Sequence, residues 1–197
     1  WNPKIIAGLD SIYFLDGDID GKKIAFASSM GEYRYSIEES QKVKGYLEKF
    51  KKIAVREEDT AKYLSNLTGR SDIEQVLDPT LLMNLDEWSK LKAKEFVIPS
   101  VPYVLVYTLK KNPSTKKIIT KLIESLDLFV VAIDQDPFLG YSSNLHLNDI
   151  GPSEFLSLFL GASFVITNSF HGTAFAINFS KPFVSIEPES GKNRILD

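Results

Sequence analysis

The sequence predicts an α/β fold in two halves, each built on a parallel sheet. Three observations predict it. Short apolar runs alternate with stretches of helical periodicity along the 197 residues. The alternation breaks once, where Asp86 to Pro102 turns charged and then proline-rich. It resumes at once with Tyr103-Val-Leu-Val-Tyr107. The halves are therefore read as Rossmann-like, the first one incomplete at its start; a single continuous α/β domain is the alternative.

In the first half, Lys23-Ile-Ala-Phe-Ala27 is a strand that ends at Ser28, Ser29, Met30 and Gly31. A helix follows from about Ser36 to Phe50, because Val43, Tyr46, Leu47 and Phe50 recur at helical spacing. Lys52-Ile-Ala-Val-Arg56 is a second strand, and the helix from about Glu58 to Leu67 ends at Gly69. Glu74-Gln-Val-Leu-Asp78 is a shorter third strand closed by Pro79. Proline removes backbone donors and resists helical continuation, so Ile98-Pro99-Ser100-Val101-Pro102 marks the join. The domains are residues 1–98, partial and N-terminal, and residues 99–197.

The second half opens on the strand Tyr103–Tyr107. A helix over Ser114–Leu126 carries Ile118, Ile119, Leu122, Ile123 and Leu126 on one face. Leu128-Phe-Val-Val-Ala-Ile133 is a strand buried on both faces, and residues 135–149 read as a polar loop. Pro152 suits the first turn of the next helix. Phe164–Thr167, a helix from about Gly172 to Phe179 and Pro182–Ile186 complete the series.

Composition narrows the function. A net charge of −3 argues against a broad basic surface for nucleic acid. Without cysteine there is no disulfide, thiolate metal site or cysteine nucleophile, and two histidines, His146 and His171, are too few for a multi-histidine metal site. No apolar run approaches the ~18 residues that span a bilayer. The start, Trp1-Asn2-Pro3-Lys4, has no signal-peptide pattern and reads as the start of an internal fragment. P-loop, dinucleotide-fingerprint and nucleophile-elbow motifs are absent. Asp16-Gly-Asp-Ile-Asp20 lacks the continuation of a calcium loop and reads as a turn.

Parallel sheets bind ligands at the carboxyl ends of their strands. The strands deliver Ser28, Ser29 and Gly31, then Arg56, Asp78, Tyr107, Asp134, the Asn168-Ser169-Phe170-His171 stretch, and Glu187. The stretch at 168–171 stands out. A strand runs into it and a helix out of it, so Asn168 or Ser169 can cap that helix and its N-terminus favours an anion. Gly172 removes a side chain where a ligand would approach, and His171 can donate to a phosphate or carboxylate or act as an acid. The plain alternative is that Asn168 caps the helix and His171 bonds a carbonyl. Arg56 can hold a carboxylate bidentately, or else pair with Glu57, Glu58 or Asp59. Asp78 reads as a turn former, His146 as a surface residue and Arg194 as a further cationic candidate.

These residues resemble the polysaccharide pyruvyl transferase family. The resemblance rests on Phe164-Val-Ile-Thr-Asn-Ser-Phe-His-Gly-Thr-Ala-Phe175 and Lys181-Pro-Phe183, with Trp1-Asn2-Pro3, Ile24–Gly31, Val55–Glu58, Leu77–Thr80 and Asn193–Ile195 in order. It spans essentially the whole chain. It implies a glycosyltransferase-B-like architecture with an interdomain active site. It also implies transfer of the pyruvyl group of phosphoenolpyruvate, as a ketal, onto a sugar of a bacterial exopolysaccharide or its lipid-linked precursor. By resemblance His171 and Arg56 are the catalytic residues, and Asn168, Ser169, Gly172, Ser28, Ser29, Tyr107, Glu187 and Arg194 surround the donor. No metal or cofactor is implied beyond the donor itself. The partners are a saccharide acceptor and a small anion; the location is the bacterial cytoplasm, with room for peripheral association with membrane-bound assembly machinery. Many members carry an arginine two residues before the histidine, where this chain has Ser169. A glycosyltransferase using a nucleotide-sugar donor is the alternative, and a non-catalytic carbohydrate- or anion-binding module a third.

Overall fold

The computed structural model describes residues 1–4, 8–17, 20–109 and 112–187. It divides into two compact units, Trp1–Pro79 and a second beginning at Thr80. Among the described residues no helix is long and apolar enough to cross a membrane.

In the first unit three parallel strands lie side by side in chain order: β1 (Lys23–Ser28), β2 (Phe50–Val55) and β3 (Ile73–Gln75). Helix α1 (Ile37–Glu48) starts at a capping box, with Glu39 N donating to Ser36 Oγ (3.2 Å) and Ser36 N to Glu39 Oε2 (2.8 Å). Helix α2 (Glu58–Thr68) stops at Gly69, whose φ of 74° is the left-handed conformation that a side chain would oppose. Phe14, Met30, Val43, Leu47, Ile53 and Leu64 form its core. Arg70 ties the amino edge of the sheet together, donating to the carbonyls of Leu47 (3.2 Å), Phe50 (2.6 Å) and Lys51 (3.2 Å) and clasping Asp72. β3 is shorter than expected and lies earlier. Val76 N still reaches Val55 O (2.8 Å), but the chain then leaves the sheet and buries Asp78.

The second unit holds a five-stranded parallel sheet of order β6-β5-β4-β7-β8: β4 (Tyr103–Tyr107), β5 (Phe129–Ile133), β6 (Leu145–Leu147), β7 (Phe164–Thr167) and β8 (Phe183–Ser185). Helix α4 (Pro113–Leu126) begins at the Asn112 cap and packs Ile119 and Ile123 on one face of the sheet. On the other face α5 (Pro152–Gly161) and α6 (Phe170–Asn178) contribute Leu158, Phe159, Phe175 and Phe179. Helices on both sides explain why β4, β5 and β7 are nearly continuous apolar runs.

Two expectations change here. The stretch 135–149 is not all loop: Leu145–Leu147 pairs with β5, Val131 opposite Leu145 and Ile133 opposite Leu147. Its His146 is half-buried, with Nε2 2.9 Å from the carbonyl of Asp134, so it braces the sheet. The join expected between residues 98 and 99 falls instead between Pro79 and Thr80. The reason is that the intervening stretch, with a short helix α3 (Leu85–Ser89), is bonded to the second sheet's helices. Trp88 packs edge-on to Phe175 (5.1 Å), Ala93 N donates to Ser157 Oγ (3.0 Å), and Asn178 Nδ2 donates to the carbonyls of Thr80 (2.7 Å) and Met83 (2.9 Å).

Candidate active site

From β4 the chain travels to β5 and β6 on one side of the sheet, and later fills β7 and β8 on the other. Loops leaving β4 and β7 therefore run apart at the carboxyl edge, and such a switch point is where open α/β sheets take ligands. A cavity of about 650 Å³ lies there. Tyr107 and Thr108 reach it from β4, Asp134 and Asp136 from the loop after β5, Phe155 from α5, and His171 with Phe175 from α6. Tyr107, Phe155 and Phe175 stack edge to face, with centroids 5.1 Å and 5.7 Å apart in successive pairs.

The segment after β7 is assembled by its own polar groups. Helix α6 opens at Phe170, two positions ahead of the expected start at Gly172, because Ser169 is the cap: its Oγ accepts from Gly172 N (3.3 Å). Ser169 is buried, and its own N–H donates to Thr167 Oγ1 (3.1 Å). Asn168, the other candidate cap, works across the crevice instead, where its Oδ1 accepts from Leu109 N (2.9 Å) and ties the β7 loop to the β4 loop. Burial pushes the Tyr107 phenol up, and hydrogen bonding with Ser169 pulls it partly back.

Gly172 has a different duty from the one expected. It is buried, and a Cβ there would fall 2.2 Å from Thr167 Oγ1 and 3.0 Å from Tyr107 Cδ1. Its missing side chain lets α6 dock on β7 and β4. Gly172→Ala is expected to cost about 1–3 kcal/mol through overpacking, measured by chemical denaturation. An unchanged midpoint would show that α6 shifts freely, against this packing.

His171, the second residue of α6, is exposed at the cavity, with its ring edge-on to Phe170. Tyr107 and His171 thus meet at one site, and Asn168 and Ser169 build its frame. Glu187 is exposed just beyond β8 and is not part of the cavity lining. Arg194 lies outside the described residues.

Ser28, Ser29 and Arg56 gather at the carboxyl edge of the first unit's sheet. The Ser29 hydroxyl bonds the Glu57 carboxylate, and Arg56 N donates to Ser28 O (3.0 Å). The Arg56 guanidinium pairs with Asp78, whose side chain is only 2% exposed. The partner is therefore none of Glu57, Glu58 and Asp59, and Asp78 is more than a turn former.

Sequence reasoning noted Asp134 at the end of its strand but did not promote it, and it passed over Asp136, Phe155 and Phe175. Asp134 is firmly held. Its Oδ1 accepts from Asp136 N (2.8 Å), its Oδ2 from Thr108 Oγ1 (3.4 Å), and its N–H donates to Leu147 O (3.1 Å). An aspartate directly after an apolar strand was the available signal. Burial, joined by the charge of Asp134, pushes the nearby Tyr141 phenol up.

The structure is similar to that of UDP-GlcNAc 2-epimerase from Methanocaldococcus jannaschii, with a TM-score of 0.57 and 17% identity over 83% of this chain. The chain spans 54% of the epimerase's length. This likeness is one of fold, and it bears out the α/β, glycosyltransferase-B-like class expected from the sequence. No curated protein matches the chain. The sequence model described as polysaccharide pyruvyl transferase matches residues 7–190, which takes in the β7–α6 segment, the Arg56 edge and nearly everything between and around them. The chain belongs to the polysaccharide pyruvyl transferase family, a family of transferases.

Proposed function

We propose that the chain transfers the pyruvyl group of phosphoenolpyruvate, as a ketal, onto a hydroxyl pair of a sugar in a bacterial exopolysaccharide or its lipid-linked precursor, in the cytoplasm. The observation that carries this reading is the placement of His171. Within a chain matched by the family model over residues 7–190, this imidazole stands exposed at a switch-point cavity of about 650 Å³. A reaction of this kind needs a proton at C3 of the enol phosphate, and an imidazole is a side chain able to deliver one near neutral pH. The first turn of α6 and its dipole favour negative charge beside His171. Arg56, at the carboxyl edge of the first unit's sheet, is the expected arginine for a donor carboxylate or phosphate, and its guanidinium pairs with Asp78.

Thermal shift on the full-length protein with phosphoenolpyruvate, UDP and UDP-GlcNAc separates the donors. A ligand present at 100 times its Kd adds about 2.7 kcal/mol to the folded state, so phosphoenolpyruvate is expected to raise the melting temperature clearly. A shift with UDP or UDP-GlcNAc and none with phosphoenolpyruvate would replace the reading by a nucleotide-sugar enzyme.

A further inference from the structure

We propose that the groove between residues 92–98 and helix α5 binds a lipid with one alkyl chain and a phosphate headgroup. The phosphate rests on Lys92 and Lys94, and the chain lies over Phe96, Ile98 and Leu160. The site is separate from the switch-point cavity, and the inference stands independently of the transferase reading.

The groove has a volume of about 530 Å³, within the range of about 300–1,000 Å³ for small-molecule sites. It lies between two points where the chain is held against α5. Near the start of the helix, Ala93 N donates to Ser153 O (3.1 Å) and to Ser157 Oγ (3.0 Å). At the other end Ile98 sits so close that a Cβ on Gly161 would fall 2.6 Å from its Cδ1. Ser157, Leu160 and Gly161 border the groove from one face of α5, since positions three and four apart lie side by side. Phe155, which lines the switch-point cavity, is turned about 200° from Ser157 around the same helix. The two sites therefore use different sides of α5.

The lining is divided along its length. Phe96, Ile98 and Leu160 are half-buried and pack against the core of the second unit, so one end of the groove is apolar. Lys92 and Lys94, beside the Ala93 clip, are exposed, and among the described residues neither makes an ion pair. Glu95, between them, is not part of the lining. Two positions apart, the lysines have Cα atoms no more than ~7 Å from each other, and flexible stems bring both ammonium groups to one headgroup. A phosphate monoester carries a charge of about −1.5 to −2 at neutral pH, which answers two lysines, whereas a carboxylate answers one. Each methylene laid on the apolar end tightens binding about fourfold. Free phosphate would leave that end in water, and an uncharged chain would leave both ammonium groups without a counter-charge.

The test uses ¹⁵N-labelled full-length protein with decyl phosphate, butyl phosphate, inorganic phosphate, decanoate and decyltrimethylammonium as separate probes, each below its micelle concentration, and with phosphatidylglycerol vesicles. Decyl phosphate is expected to move the amide resonances of residues 92–98 and 157–161 and to leave those of 107–109 and 134–136 in place. It should bind at least tenfold more tightly than butyl phosphate, inorganic phosphate or decanoate. The double variant Lys92→Gln/Lys94→Gln is expected to weaken decyl phosphate by about tenfold or more. The chain-length series on the parent protein tests the apolar end without any substitution. Inorganic phosphate or decanoate bound as tightly as decyl phosphate overturns the proposal, as does decyltrimethylammonium moving the same resonances. Full affinity in the double variant, or binding to vesicles with none to monomeric decyl phosphate, overturns it as well.

Discussion

Replacing His171 by alanine is expected to lower pyruvyl transfer by about 10²–10⁴-fold, the usual contribution of a positioned acid or base. The fold should survive. His171 is exposed, and the cap of α6 is closed by Gly172 N donating to Ser169 Oγ and Ser169 N donating to Thr167 Oγ1. The melting temperature of His171→Ala, measured beside that of the parent, separates a chemical defect from an unfolded enzyme. Phosphate release from phosphoenolpyruvate in the presence of acceptor is the measurement. Turnover at the parent's rate in the folded variant would show that the proton comes from elsewhere.

Arg56→Met is expected to cost about 1–3 kcal/mol of folding stability, seen as a lower urea midpoint at neutral pH. The side chain of Asp78 is 2% exposed and that of Arg56 21%, so removal of the guanidinium takes one partner from a carboxylate that water scarcely reaches. The double variant Arg56→Met/Asp78→Leu should recover most of the loss, because replacing both members of a buried pair with apolar groups is often neutral. This has a practical edge. Weak donor binding by Arg56→Ala alone would mix a binding defect with a folding defect, whereas the double variant tests the donor role on a stable protein. An equal loss in the single and double variants would mean that the pair is not what holds this edge.

Much of the architecture can be read from the chain because local chemistry dictates it. β4, β5 and β7 are apolar on both faces, so their runs are hard to mistake, and Asn112 before Pro113 marks the start of α4. β6 is hidden: three residues reading Leu-His-Leu carry too little period to separate them from a loop. Asn168 and Ser169 are both good caps in the sequence; the fold gives the cap to Ser169, which starts α6 at Phe170, while Asn168 Oδ1 accepts from the distant Leu109 N–H. Arg56 and Asp78 stand 22 residues apart, so their pairing is a property of the folded sheet and not of any window of sequence. The cavity is less legible still. His171 is visible in its motif, but Asp134, Phe155 and Phe175 come from three elements that meet only once the strand order is set.

The edges of the two sheets differ in a way that bears on handling the protein. β6 and β8 are three residues each, too short to recruit a foreign strand. β1, at the rim of the other sheet, runs for six residues with Ile24 at 57% and Phe26 at 54% exposure. Its pairing register breaks between Ala25 and Ser28, where Ala27 adopts a φ of 54°, and such a kink spoils a flat template. Among the described residues, the kink at Ala27 thus keeps the exposed Ile24 and Phe26 from continuing into a flat pairing edge.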